Sequence, residues 1–209
     1  IRVGLEHREA GRHELRQSAE PLLSESSSAS VSIPDYYRVR FHAYEQGNLC
    51  WQAATEAEQA TDAMALRVWP DEQLSPQQAQ ARLRQAIHNS AEPLLGKPIQ
   101  RVLDMGCSVG VSTQALARWL NQRADAQGEA RPEVIGLDLS AEMLAVARVR
   151  DHQRLVRQWR HAAAEATGLE PASIDLLSLQ FVCHELPQRA TAAVLAEAAR
   201  LLRPGGVLL

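Results

Sequence analysis

The sequence RVLDMGCSVGVST, residues 101–113, decides the fold, because it reads as a buried strand, a glycine-rich turn and the start of a helix. Val102 and Leu103 belong to the apolar run of a strand that is covered on both faces. Gly106 and Gly110 allow backbone conformations and close approaches that a side chain would block. The following helix would point free N–H groups back at the turn. We therefore predict a ligand-binding turn, with a plain strand-turn-helix connection as the alternative.

Strand and helix patterns alternate through the rest of the C-terminal half. Polar residues 121–132 are expected to end the first helix, and strands are predicted at 134–138, around 159–163 and at 173–181. Ser140 and Pro187 each mark a helix start, and residues 203–206 break the last helix before a final strand. These repeated units predict an α/β fold, a doubly wound, mostly parallel Rossmann-like sheet with helices on both faces.

The N-terminal half has a different composition. Residues 1–33 are expected to be a flexible or weakly structured leader that ends in a Ser-rich linker. Residues 34–96 predict a helical cap, with helices over about 52–68 and from Ser75-Pro76 to about Ser90. Residues 97–209 are expected to form the sheet domain. Because they end in what reads as the opening of a strand, we expect that domain to be incomplete at its C-terminus.

Composition excludes several classes of function. The formal net charge is -3 with scattered Arg and Glu, which gives no reason to expect a nucleic-acid or anionic-membrane partner. No apolar run approaches the roughly 18–20 residues of a membrane span. Three cysteines, Cys50, Cys107 and Cys183, are too few and too far apart for a disulfide framework or a paired zinc knuckle. We predict no metal and a reducing compartment, and the sequence leaves the oligomeric state open.

Acidic and polar residues follow the predicted strands, where a parallel sheet binds its ligands. Asp104 ends the first strand and Asp138 the second, and residues 180–185 follow the fourth. A carboxylate after the second strand suits the two hydroxyls of a ribose, because it can accept both hydrogen bonds. A dinucleotide fingerprint would need glycines where this chain has Ser108 and Val111. The pattern therefore favours a ligand that contains adenosine but no pyrophosphate.

Tyr37, His42 and Tyr44 lie in an aromatic stretch that holds all three tyrosines of the chain. Such a cluster indicates either a packing cap for the neighbouring domain or the wall of a ligand pocket. These three residues are our candidates for contact with a substrate.

Four ordered segments resemble the successive motifs of class I S-adenosylmethionine-dependent methyltransferases, in particular the small-molecule group called type 11. They are VLDMGCSVGVST, VIGLDLSAEMLAVAR, AEATGLEPASIDLLSLQFVCHEL and ARLLRPGGVLL, within residues 99–209. The N-terminal stretch YYRVRFHAYEQGNLCWQAA is similar to the helical leader of a cyanobacterial and plastid branch of that family. The resemblance implies S-adenosylmethionine as cofactor and the cytoplasm or the plastid stroma as location.

The resemblance also implies roles for individual residues. Asp104, Gly106, Ser108 and Gly110, with Cys107 in the same turn, would cradle methionine and ribose; Asp138 would hold the ribose hydroxyls, Leu139 the adenine face, Ala164 and Glu165 the adenine edge, and Gln180 and Phe181 the methionine amino group. Many relatives carry Asp where this chain has Ala163, and Ser108 replaces a frequent glycine.

His184 and Glu185 are the candidates for a general base, since they follow the fourth strand at the expected mouth of the pocket. Alternatively, His184 caps the following helix or bonds to backbone. We predict an enzyme that transfers a methyl group from S-adenosylmethionine to a small organic molecule. The alternative is a non-catalytic scaffold with the same fold, which would have no need of two carboxylates at strand ends.

Overall fold

The structure, a computed structural model, describes residues 2–39, 44–45, 47–96 and 98–209. Five parallel strands form one sheet in the order β3-β2-β1-β4-β5, which confirms the predicted doubly wound architecture. The strands are β1 Arg101–Met105, β2 Glu133–Asp138, β3 Gln158–His161, β4 Ile174–Ser178 and β5 Leu202–Leu208. The chain order reverses between β1 and β4, so the carboxyl ends of these two strands border the crevice in which such sheets bind ligands.

Seven α-helices surround the sheet within the described ranges. They are α1 Arg2–Ala19, α2 Leu23–Ser26, α3 Trp51–Val68, α4 Pro76–Ala91, α5 Val111–Gln127, α6 Ala141–Arg150 and α7 Gln188–Leu201. Short 3-10 turns lie at Glu20–Leu22, Asp35–Tyr37, Glu92–Leu94 and Cys183–Glu185. None of the described helices is both long and apolar enough for a bilayer crossing.

Alternate residues of the central strands face opposite layers of helices. Val102, Val134 and Leu176 lie in register and pack with Leu116 and Leu120 of α5. Their neighbours Leu103, Ile135 and Leu177 pack on the other face with Val194 and Leu201 of α7. Burial of both faces explains the continuous apolar run of these strands.

Local start signals in the sequence are confirmed. The Ser140 hydroxyl accepts a hydrogen bond from the Met143 N–H at the start of α6. Ser75 and Gln78 form a reciprocal capping box at the start of α4, with Pro76 in the first turn. Pro187 is the N-cap of α7, as predicted.

The structure differs from the prediction in the leader. Residues 2–19 form the 18-residue helix α1, and α1 and α2 pack on α6. Ala19 is fully buried there, in a cluster with Met143 and Val146. The expected flexible or weakly structured leader is therefore wrong for this segment, because its sparse apolar residues find a partner in α6.

Two boundaries also differ. Helix α5 continues to Gln127 through residues expected to end it, because its polar side chains face solvent while Ala124 is buried. The Gly128 N–H bonds to the Ala124 and Asp125 carbonyls in a left-handed C-terminal cap. Strand β4 ends at Ser178, three residues earlier than predicted, since the chain turns into the Cys183–Glu185 segment.

Candidate functional site

A cavity of about 590 Å³ lies at the carboxyl ends of the strands, between the sheet and the N-terminal helices. Its volume is within the usual range for small-molecule sites. Twelve of the residues predicted for the site line it: Tyr37, Tyr44, Gly106, Cys107, Ser108, Asp138, Leu139, Ala164, Gln180, Phe181, His184 and Glu185. The described part of the N-terminal region thus supplies one wall of a pocket.

The remaining predicted residues lie elsewhere. Asp104 is buried behind the glycine turn, and Gly110 and Glu165 are not part of the lining. The expected direct contacts of these three residues with a ligand in the cavity are therefore not supported by their positions. His42 lies outside the described residues, so its predicted substrate contact stays a prediction.

Asp104 holds the first turn of α5 in place. Its Oδ2 accepts hydrogen bonds from Ser112 Oγ (2.9 Å) and Thr113 Oγ1 (2.7 Å). Burial raises the pKa of Asp104, while these hydroxyls and the Arg84 cation oppose the rise. Asp104 therefore fixes the start of α5, which directly follows the glycine turn.

The glycine turn is tied to the end of β2. The backbone N–H groups of Gly106 and Cys107 both donate to the Leu137 carbonyl, at 2.8 and 2.9 Å. Gly110 has a φ of 78°, and a Cβ there would lie 2.4 Å from the Trp159 ring, so the turn requires glycine at this position. Burial keeps the pKa of the Cys107 thiol well above its ordinary value, so Cys107 is a packing residue in the thiol form.

Asp138 faces the cavity from the end of β2. Its Oδ2 accepts from the Ser108 N–H (2.7 Å) and its Oδ1 from the Ser140 N–H (2.9 Å). Burial raises the pKa of Asp138, and these backbone donors oppose the rise. The two hydrogen bonds fix the carboxylate, which retains lone pairs for a ligand's hydroxyl groups.

Arg84 is a cavity residue that the sequence analysis missed. It projects from α4, is 6% exposed, and donates from Nη1 to the Gln180 Oε1 at 2.5 Å. Its Nε has no hydrogen-bond partner, and its guanidinium lies 5.9 Å from the centre of the Phe181 ring. Burial lowers the pKa of Arg84, and the Asp104 charge opposes this. The cavity thus contains a buried cation whose hydrogen-bonding capacity is only partly used.

A signal for Arg84 was present in the sequence of α4. Gln80, Arg84 and His88 recur every four residues and are all buried in the structure. Polar residues at this spacing are typical of the solvent-exposed face of a helix, so the sequence alone would place this buried face toward solvent.

His184 and Glu185 lie at the rim of the cavity on the Cys183–Glu185 turn. Asn48 donates from Nδ2 to the Glu185 Oε2 at 2.9 Å, and the His184 Nε2 lies 3.7 Å from the Glu185 Oε1. Helix α7 begins with Pro187 as its N-cap and without a cap from that residue's own side chain, and the alternative role of His184 in capping the helix or bonding to backbone stays a prediction. Asn48 is a second residue that the sequence analysis missed, because no local pattern singles it out.

Tyr37 and Tyr44, two of the three tyrosines, line the cavity. Tyr44 donates to the Glu56 Oε2 at 3.0 Å, and burial together with this bond raises its pKa to about 12. Burial, followed by the negative charges of Asp138 and Glu185, raises the pKa of Tyr37. Both phenols therefore remain protonated at neutral pH.

Comparisons with known proteins agree with this geometry. A family model described as "Methyltransferase domain" matches residues 103–209, just over half of the chain. Trans-aconitate 2-methyltransferase of Azoarcus sp. (strain BH72) is 40% identical over 109 residues, covering 51% of this chain and 36% of the relative. Ubiquinone biosynthesis O-methyltransferase of Ralstonia nicotianae is 32% identical over 146 residues, covering 68% and 55%. The chain spans roughly a third to a half of these relatives.

Solved structures are similar in fold. A Leishmania major protein described as a SAM-dependent methyltransferase has a TM-score of 0.52 at 18% identity, covering 89% of this chain and 67% of its own. The CurJ carbon methyltransferase has a TM-score of 0.51 at 18% identity, covering 99% and 48%. At these identities the likeness concerns the fold alone.

Proposed function

The chain belongs to the class I S-adenosylmethionine-dependent methyltransferase family, and we propose that it transfers the methyl group of this cofactor to a small organic molecule. The observation that carries the proposal is the cavity, in which the fixed Asp138 carboxylate and the buried Arg84 cation line the same space. The relatives named for trans-aconitate and for ubiquinone biosynthesis support a small organic acceptor.

The residues of the cavity fit S-adenosylmethionine. Asp138 would accept the ribose hydroxyls, and Leu139 and Ala164 would lie against the adenine. The open side of the turn at residues 106–108 would receive the ribose and the methionine chain. Arg84, whose Nε is buried without a partner, would bind the methionine carboxylate, and Gln180 would then orient the guanidinium.

Bound S-adenosylmethionine supplies a methyl group on a positively charged sulfur, which makes the methyl carbon electrophilic. The chain's contribution is to orient the reactants and exclude water, because an in-line displacement depends mainly on alignment. Phe181 is 47% exposed at the cavity and has a φ of 58°, a conformation that costs energy for a residue other than glycine. We assign it to shielding the reacting atoms from solvent.

Calorimetric titration with S-adenosylhomocysteine tests the cofactor site. The wild-type chain is expected to bind with micromolar affinity, and Asp138→Ala is expected to lose at least about tenfold, because two hydroxyl hydrogen bonds to a charged group are removed. Asp71→Ala, at an exposed aspartate between α3 and α4, is the matched control and should bind as the wild type does. Unchanged affinity in Asp138→Ala would refute the assigned pocket, and absence of binding by the folded wild type would favour the scaffold alternative.

A further inference from the structure

The part of the cavity beneath α3 has an apolar wall. The residues of α3 that line it recur on one helical face and are mostly small: Ala53, Ala57, Ala60, Thr61 and Met64. Tyr44 lies beside them, with its hydroxyl directed to Glu56. This wall suits a compact, largely apolar molecule, because it offers methyl groups and a ring face as contacts.

Glu185 is the carboxylate at the rim of this space. Its side chain is 27% exposed, against 57% for His184, so Glu185 is the better shielded of the two candidate bases. The Asn48 amide donates to its Oε2 at 2.9 Å across 137 residues of sequence, which joins the N-terminal region to the segment after β4. This hydrogen bond fixes the orientation of the Glu185 carboxylate at the rim of the cavity.

Charge restricts the acceptor. Among the lining residues within the described ranges, Arg84 is the one fixed cation, and the proposed function assigns it to the cofactor. A carboxylate or phosphate on the acceptor would therefore lie near the Glu185 carboxylate with no second cation among these described lining residues. A phenol-type hydroxyl has a pKa near 10 and keeps its proton at neutral pH. Because it must lose this proton on methylation, a carboxylate at this position can act as the general base that accepts it.

Resting on the proposed methyl transfer, we propose that Asn48 positions Glu185 to accept the proton from the hydroxyl of a small, largely apolar acceptor. The acceptor oxygen forms the new carbon–oxygen bond as the carbon–sulfur bond breaks. The electron pair of the broken bond stays on sulfur, which becomes a neutral thioether, and the hydroxyl proton moves to the Glu185 carboxylate. Glu185 is the catalytic residue, and Asn48 is a positioning residue.

A panel of acceptors with one shared apolar body tests the substrate class. Release of S-adenosylhomocysteine is measured with para-butylphenol, para-butylaniline and para-butylbenzoate as probes. The phenol is expected to react at least about tenfold faster than the other two. Glu185→Gln should lower kcat for the phenol by about a hundredfold or more, in the range typical of losing a general base. Equal rates for the three probes, or no phenol turnover, would overturn the proposal.

The role of Asn48 is tested by a split between kcat and KM. Asn48→Ala is expected to lower kcat by about tenfold with KM within about twofold, because the base loses its orientation while the apolar wall is intact. Asn89→Ala, which removes an exposed amide on α4 that bonds Gln85, is the matched control and should leave both parameters unchanged. A tenfold change confined to KM would overturn the positioning role.

A carboxyl titration gives a readout that needs neither cofactor nor turnover. Isotope-labelled glutamate carboxyls are followed by carbon NMR, with the Glu185 signal identified by its loss in Glu185→Gln. The Asn48 N–H stabilises the ionised carboxylate, so Asn48→Ala should move the Glu185 midpoint to higher pH, while Asn89→Ala should not. An unmoved midpoint would overturn the positioning role. If S-adenosylhomocysteine does not bind, the proposed function fails, but this titration still gives its own result.

Discussion

A buried guanidinium is costly unless it finds partners for its donors, and Arg84 has one short hydrogen bond, to the neutral amide of Gln180. Asp104 attracts it as a charge, but the Asp104 Oδ2 already accepts from Ser112 and Thr113. A ligand carboxylate would complete the set of partners with charge-assisted, bidentate bonds. Arg84 is therefore expected to determine affinity for the methionine end of the cofactor.

Replacing Arg84 by Met should weaken binding of the methionine end of the cofactor and leave binding of the adenosine end unchanged. We expect Arg84→Met to lower the affinity for S-adenosylhomocysteine by about 10- to 100-fold, because one charged hydrogen-bonded pair is worth roughly 1.5–3 kcal/mol. The affinity for methylthioadenosine, which lacks the carboxylate, should stay within about twofold. Arg82→Met is the control, since Arg82 lies on the same helix as Arg84 and forms an exposed ion pair with Glu72 in the preceding turn. Equal losses for both ligands in calorimetry would contradict the assignment.

Asp138 and the glycine turn could be predicted from the sequence because their signals are local: an acid after an apolar run and glycines at a strand end. Arg84 and Asn48 could not be placed in this way. They reach the cavity from segments 22 and 58 positions before Gly106, and only the packing of the N-terminal region on the sheet brings them there. A local pattern, such as the polar row of α4, does not show which distant surface a side chain will meet.

At the scale of elements, the polar row of α4 is packed inside the molecule. His88 stacks on Trp119 of α5, with ring centres 4.4 Å apart and planes 5° from parallel. Burial, followed by the Arg84 charge, lowers the pKa of His88 to about 4. The folded state therefore favours the neutral form of the His88 ring.

The stability of the fold should depend on pH through His88. The pKa of His88 is lower in the folded state than its ordinary value of 6.5, so between pH 6.5 and 4 the unfolded state binds a proton that the folded state does not. The free energy of unfolding is therefore at its full value above about pH 6.5 and decreases as the pH falls toward 4. We expect a decrease of about 2–3 kcal/mol in the free energy of unfolding over that range. His88→Phe, which keeps an aromatic stack but cannot titrate, should flatten this dependence in urea unfolding. His152→Phe, at an exposed position, should not, and an unchanged slope in His88→Phe would refute the role.

The elements themselves were largely predictable where caps mark them, as Ser75, Ser140 and Pro187 do. The leader was not, because α1 is mostly polar and its helical state depends on packing against α6 rather than on its own composition. Propensity and pattern describe a segment in isolation, and the partner surface is distant in sequence.

At the scale of the whole molecule, the N-terminal region is joined to the sheet domain at several points. The Ser28 N–H donates to the His161 Nδ1 at 2.9 Å, and Arg148 donates to the Glu25 carbonyl at 3.2 Å. Asn48 and Arg84 join the segment after β4 through Glu185 and Gln180. The N-terminal region and the sheet therefore enclose the cavity together. Substitutions that disrupt the packing of α1 should lower the free energy of unfolding of the whole chain.

A charge in the interface between α1 and α6 tests this coupling. Ala19 is fully buried, so Ala19→Arg should lower the free energy of unfolding by roughly 2–4 kcal/mol through a buried charge and overpacking. Ala10→Arg, at an exposed position of the same helix, should change it by less than about 0.5 kcal/mol. Urea unfolding measures both, and equal tolerance of the two variants would mean that the leader does not pack on the domain.

A crystal structure of the chain with S-adenosylhomocysteine tests most directly whether the cavity is the cofactor site. The ribose hydroxyls are expected on Asp138, the adenine beside Leu139, and the carboxylate on Arg84, with Nε or Nη atoms at hydrogen-bond distance. Ligand bound outside this cavity, or inside it with Arg84 bonded to Gln180 alone and the ribose away from Asp138, would contradict the assignment.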